Sequence, residues 1–300
     1  MEETNEITAR AAEQETVKAV QGVTYLGIAV NGTIAVVKGV GGVLFGSQAL
    51  VADAVHSFSD LVTDIAVIVG VRYWSAPADD EHPYGHGKIE ALVTLFIALA
   101  LVAVSYGLAS RAATSFLQGT LKVPQVSALA LALVSIVAKE WLYRRTRIVA
   151  RRVNSPALEA NAWHHRSDAI SSIPVAVAVA VARFFPQLVW VDAAGAVLVS
   201  LFILRVSWEI AKPALQELVD AEIGDKADAV KRLAQTVPGV VDIHKVRARR
   251  YGGAFVADLH VLVDPSLSVA DGHRIGHDVK AALLASDLVV TDAVVHVEPA

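Results

Sequence analysis

Two segments of the chain carry the same pair of residues at the same spacing, His56-x-x-x-Asp60 and His164-x-x-x-Asp168. Residues four apart in a helix lie one above the other on a single face, so each pair presents an imidazole beside a carboxylate. Two such faces opposed across a helix bundle offer two nitrogens and two oxygens, the tetrahedral set that Zn²⁺ prefers. Thiolate and thioether ligation are excluded, because cysteine is absent and the one methionine is Met1. Imidazole favours Zn²⁺ and Co²⁺, whereas an all-oxygen site would suit Mn²⁺ better; Cd²⁺, Ni²⁺ and Fe²⁺ can use the same ligands. His165 points about 100° away from His164 and reads as a bystander. Asp53 and Asp64, a turn from the first pair, could line water or support the ligands.

The elements that position these pairs are membrane-spanning. Hydrophobic residues make up 54% of the 300 positions, more apolar surface than a soluble core of this size can hide. Mean hydropathy is +0.50. Stretches of the roughly 20 apolar residues that a span requires lie near 22–45, 50–74, 91–116, 124–143, 157–184 and 188–212. The fifth crosses only if it extends back through Trp163, His164 and Asp168. Asp60 and Asp168 then fall near the middle of their spans. Each carboxylate there costs about 2.5–3.5 kcal/mol or more, which argues against a mere packing role for two copies of one spacing.

Basic residues set the orientation. Arg144, Arg145, Arg147, Arg151 and Arg152 fall between spans four and five, and Arg72 and Lys88 follow span two. The opposite side offers Arg111, Lys122 and Arg183. Both termini are therefore expected in the cytoplasm. No basic run resembles a nucleic-acid footprint at a formal charge of -4. The first twenty residues lack the pattern of a removable signal peptide.

Beyond Pro213 the character changes. Ala227–Val237 reads as a short amphipathic helix ended by Pro238-Gly239. Phe255–Asp264 alternates as a strand with one buried face, and Val241–Arg250 is a weaker strand joined to it through Tyr251-Gly252-Gly253. Leu267–Leu284 is helical and Leu288–Val297 is a last strand. The expected fold is an α-helical membrane bundle of six transmembrane helices, residues 1–212, plus a small α+β (α-β-β-α-β) cytoplasmic domain, residues 213–300.

Three runs carry a resemblance. Ser47-Gln-Ala-Leu-Val-Ala-Asp-Ala-Val-His-Ser-Phe-Ser-Asp60, Pro77-Ala-Asp-Asp-Glu-His-Pro-Tyr-Gly-His-Gly-Lys88 and Ala160-Asn-Ala-Trp-His-His-Arg-Ser-Asp168 resemble successive signatures of the cation diffusion facilitators. The resemblance covers nearly the whole chain. It implies a homodimeric six-span metal/proton antiporter in the lipid bilayer, with a transport site at His56, Asp60, His164 and Asp168. The His-Asp/His-Asp combination is similar to that of zinc transporters, while Fe²⁺, Co²⁺ or Mn²⁺ export is the alternative within the family. Asp79, His82 and His86 match a secondary loop site, although a solvated polar turn is as good a reading of the residues alone. The family's tail ligands match His244, His260, His273, His296 and Glu298, with Glu298 standing where Asp is more usual. Lys88 and Asp220 match an ion pair that holds some family dimers together, or are loose surface charges. A bacterial inner membrane is the expected location.

Imidazoles exchange protons near neutral pH, so a proton gradient could drive metal release on the far side by competing for His56 and His164. Two other classes compete with this reading. An intramembrane metallohydrolase would need an open coordination position and a general base, and no His-Glu-x-x-His occurs. A membrane metal sensor would bind through the same ligands and transport nothing.

Overall fold

The structure, a computed structural model, describes residues 2–74, 76–153 and 155–300, with side chains described from residue 18 onward except at 19, 63, 64, 67, 68, 71, 72, 156 and 157. Asp64 and Arg72, singled out above, thus have side chains outside the described residues. Six long helices come first: α1 (Glu2–Leu44), α2 (Gln48–Trp74), α3 (Lys88–Leu117), α4 (Val126–Arg152), α5 (Pro156–Phe184) and, after a 3₁₀ turn, α6 (Trp190–Leu218). Among the described residues five helices are long and apolar enough to cross a membrane; α2 is not one of them. Its 27 residues suffice in length, and six of them, at 63, 64, 67, 68, 71 and 72, have side chains outside the described residues. The burial pattern is that of a protein in lipid. Large side chains such as Phe96, Val137, Leu201 and Phe202 are exposed, while Lys38, Asp53, Lys139 and Asp168 are buried.

Local chemistry explains the helix ends. Ser155 caps α5 by accepting the Leu158 N–H, and a proline follows it in the first turn, where its missing donor costs nothing. The start of α2 is capped by another helix: Asp192 of α6 accepts the Ser47 hydroxyl and the Gln48 N–H, each at 2.6 Å. The Gln48 N–H, which a helix start would otherwise leave orphaned in an apolar setting, is thereby satisfied.

One expectation needs correction. The arginines from Arg144 to Arg152 do not form a connecting loop, because α4 continues to Arg152. Arg144 pairs with Glu140 one turn back at 2.9 Å, and Arg147 donates to the Tyr143 hydroxyl at 2.8 Å. Arg151 and Arg152 close the helix, where positive charge complements the negative end of the helix dipole.

The C-terminal part has α7 (Gly224–Ala234), β1 (Asp242–Tyr251), β2 (Ala254–Val263), α8 (Val269–Leu284) and β3 (Val290–Pro299). The order is the expected one, with α7 starting and stopping earlier than the periodicity suggests. The sheet runs β1-β2-β3, with β1 and β2 antiparallel and β2 and β3 parallel. Val230, Ile243, Leu259, Val261, Val279 and Leu283 form its core. A bulge in β1 between His244 and Arg247 shifts the register. It reconciles buried Ile243 with buried Ala248, five positions apart, which strict alternation would set on opposite faces.

Candidate functional site

Three clusters of metal-ligand side chains occur among the described residues. The first joins His56 and Asp60 of α2 to Asp168 of α5, with donor atoms all within 4.8 Å of one another. Helical spacing stacks His56 over Asp60, and α5 supplies the facing carboxylate. Nδ1 of His56 and Oδ2 of Asp60 are buried and have no hydrogen-bond partner among the described residues. Buried polar atoms left open in this way are costly unless a ligand satisfies them. A divalent cation would do so. His164 lies at the edge: its Nε2 is 3.8 Å from Asp168 Oδ2, and its side chain is half exposed. It falls outside the tight three-residue group. His165 is buried, faces Gly27 of α1 and leaves both ring nitrogens without a partner among the described residues.

Sequence reasoning missed two lysines. Lys139 of α4 is 2% exposed and places Nζ 2.8 Å from Asp168 Oδ2. Lys38 of α1 is 1% exposed and places Nζ 2.7 Å from Asp53 Oδ2. The Ser172 hydroxyl donates to Asp53 Oδ1 at 3.0 Å, and both ammonium groups make long contacts to Ser57 Oγ, at 3.4 and 3.5 Å. The signal was available, since each lysine interrupts an otherwise apolar span, and charges at that depth are functional by default. Asp53, left open above between a ligand support and a water-lining group, is an ion-pair partner.

The second cluster is the loop between α2 and α3. Asp79, His82 and His86 bring their donor atoms together, with Asp79 3.2 Å from His82 and 3.4 Å from His86. The His82 N–H donates to Asp79 at 2.6 Å and holds that carboxyl below its ordinary pKa, helped by the His82 ring and the neighbouring histidines. Gly85 has φ +90, a left-handed conformation that a side chain would strain. At Gly87 a Cβ would meet the Tyr251 ring at 2.6 Å, and the Gly87 N–H donates to the Tyr251 hydroxyl. Asp80 does not join the cluster.

The third cluster lies on the sheet. Glu298 of β3 takes His260 of β2 at 2.7 Å and His244 of β1 at 2.9 Å, and His296 Nε2 lies 3.4 Å from the same carboxylate. These contacts, the His260 ring first, hold the Glu298 carboxyl below its usual range. His244 and His260 are direct cross-strand partners, as are His260 and His296. His273 does not enter this group. It is exposed on α8, whose inward stripe is Ile275, Val279 and Leu283. Lys88 and Asp220 form an ion pair within one chain at 2.9 Å, both half exposed.

Comparisons with known proteins identify the family. Residues 24–219 match the family described as the Cation efflux transmembrane domain, and residues 224–300 match the Cation efflux protein, cytoplasmic domain. The chain is 33% identical to Metal tolerance protein C1 of Arabidopsis thaliana over 92% of its own length, and spans 61% of that longer protein. It is 32% identical to the Manganese efflux system protein MneP of Bacillus subtilis, covering 86% of this chain and 90% of that one. Magnetosome protein MamM of Magnetospirillum gryphiswaldense is 33% identical, over 86% of this chain and 82% of its own. The chain is an integral membrane protein and belongs to the cation efflux family, the cation diffusion facilitators, whose members transport metal ions and are not enzymes.

Proposed function

We propose that the protein exports a divalent transition metal, Zn²⁺ by preference, in exchange for protons. The observation that carries the reading is the meeting of His56, Asp60 and Asp168 across α2 and α5, with buried donor atoms open to a ligand. His164, a helical turn before Asp168 and half exposed, is the group that can swing in to complete a tetrahedral N₂O₂ set. A site of this kind suits a transporter: ligands come from two helices, so a relative shift of α2 and α5 takes the set apart and releases the ion. Protons arriving on the far side then compete with the metal for the imidazoles.

All six long helices span the membrane in this reading, α2 included. Asp53 is buried and paired with Lys38, and Asp60 waits for the cargo. Both termini and the C-terminal domain lie in the cytoplasm, two chains form a dimer, and a bacterial inner membrane is the setting. The loop cluster collects metal from the cytoplasm, and the sheet cluster senses it. Mn²⁺ is the second reading, favoured by a relative named as a manganese efflux protein; the imidazoles here favour the softer ion.

The test is pH-gradient-driven flux in proteoliposomes, with Zn²⁺, Co²⁺, Cd²⁺, Mn²⁺ and Fe²⁺ in competition. His56→Ala and Asp60→Asn should abolish it. Intact Zn²⁺ flux in His56→Ala would remove the transport-site assignment, and preferential Mn²⁺ uptake by the unaltered protein would overturn the choice of metal.

A further inference from the structure

The buried ammonium at the metal cluster has a chemical consequence, which rests on the transport-site reading above. We propose that Lys139 is a tethered competitor for the cargo: its ammonium holds Asp168 in the empty carrier, must be exchanged for the metal on loading, and sets both the affinity and the rate of release.

Charge bookkeeping leads there. Among the described groups, Lys38 and Asp53 cancel one another at 2.7 Å. Lys139 and Asp168 cancel at 2.8 Å. Asp60 is the remaining carboxylate beside His56 and His164. A divalent ion bound by Asp60 and Asp168 neutralises both carboxylates unaided, which leaves the Lys139 charge surplus and close to the metal. At such separations, with 2% exposure of the lysine and little water to screen, like charges repel strongly.

Oδ2 of Asp168 cannot keep its 2.8 Å contact with Nζ and also coordinate the ion with full strength. Loading therefore requires the ammonium to yield, and Ser57 Oγ, 3.5 Å from Nζ, is the acceptor already in reach. A competitor fixed to the protein acts at high effective concentration. It weakens binding of every cation, but a divalent ion, with twice the charge, displaces it where a monovalent ion does not. Weak, reversible binding is what conduction through a buried site demands.

The experiment uses the full-length protein in proteoliposomes and measures KM and kcat for Zn²⁺ flux, with Zn²⁺ binding followed by calorimetry in detergent. Lys139→Gln should lower KM at least tenfold and also lower kcat, because release slows. Lys139→Arg keeps the charge and grips Asp168 through a planar fork, so KM should rise several-fold. A purely structural lysine would not move the two variants in opposite directions. The proposal is overturned if folded Lys139→Gln binds Zn²⁺ no more tightly than the unaltered protein. Should that variant fail to fold, Lys139→Arg decides alone, and an unchanged or lower KM overturns the idea. Asp168→Asn separates the two levels: if it binds Zn²⁺ normally, the transport site itself is wrong, whatever Lys139 does.

Discussion

Lys38→Met offers a demanding check on the buried ion network. Lys38 and Asp53 are 1% and 2% exposed and 2.7 Å apart, so solvent screening scarcely reduces their interaction. Removal of the ammonium would leave Asp53 buried with the Ser172 hydroxyl as its remaining hydrogen-bond donor among the described residues. Breaking a buried pair from one side costs about 3–5 kcal/mol. At roughly 2–4 °C per kcal/mol for a domain of this size, the melting temperature should fall by about 6–20 °C. Replacing both partners, Lys38→Met with Asp53→Leu, should recover most of the loss, since well-packed apolar substitutes for buried pairs are neutral or better. Tryptophan-fluorescence size exclusion of heated, detergent-solubilised protein reads both. If the single variant melts with the unaltered protein, or the double variant melts as low as the single, the pair does not carry the stability assigned to it.

Other consequences are open to measurement. Glu298→Gln removes the carboxylate shared by His244, His260 and His296, and metal uptake by the sheet cluster, followed as Co²⁺ absorbance in an Asp60→Asn background, should weaken about 10–100-fold. Tyr251→Phe deprives the Gly87 N–H of its acceptor; at about 1 kcal/mol, hydrogen exchange at Gly87 should quicken roughly fivefold. Acid should destabilise the C-terminal domain. The Ser266 hydroxyl holds Asp264 low, the Ser268 hydroxyl Asp271, the Lys280 ammonium Asp292 and the His260 ring Glu298. A carboxyl depressed in the folded state contributes stability that is complete above its unfolded value near 4 and lost as pH falls through the folded value. Calorimetry should therefore show a flat domain melting temperature from pH 7 to about 5 and a decline below about 4; a rise on acidification would refute these assignments.

The helices and the order of the C-terminal elements were legible because each follows from a single strong rule. Lipid demands long apolar runs, and a one-sided sheet demands alternation, as in Phe255 to Asp264. What stayed hidden depends on side-chain direction or on partners distant in sequence. The β1 bulge shows only as a broken parity between Ile243 and Ala248. His273 matches a family ligand by type, yet it sits roughly 100° round α8 from the centre of the buried stripe that runs from Gly272 to Leu283. Lys38 and Lys139 are not legible as site residues from ligand chemistry, because an ammonium does not ligate a metal. Their partners, fifteen and twenty-nine positions away, emerge once α1, α2, α4 and α5 are assembled.

The clamp at the start of α2 has mechanical meaning. Asp192 pins Ser47 and Gln48 to α6, which makes that end a fulcrum for the helix that holds His56 and Asp60 of the proposed transport site. Asp60 lies twelve residues on, about 18 Å along the axis. A tilt of about 10° around the pinned end would carry its carboxylate about 3 Å over that ~18 Å arm, further than the ~2 Å length of a zinc–oxygen bond. A small pivot with no unwinding would thus be enough to dismantle the coordination sphere.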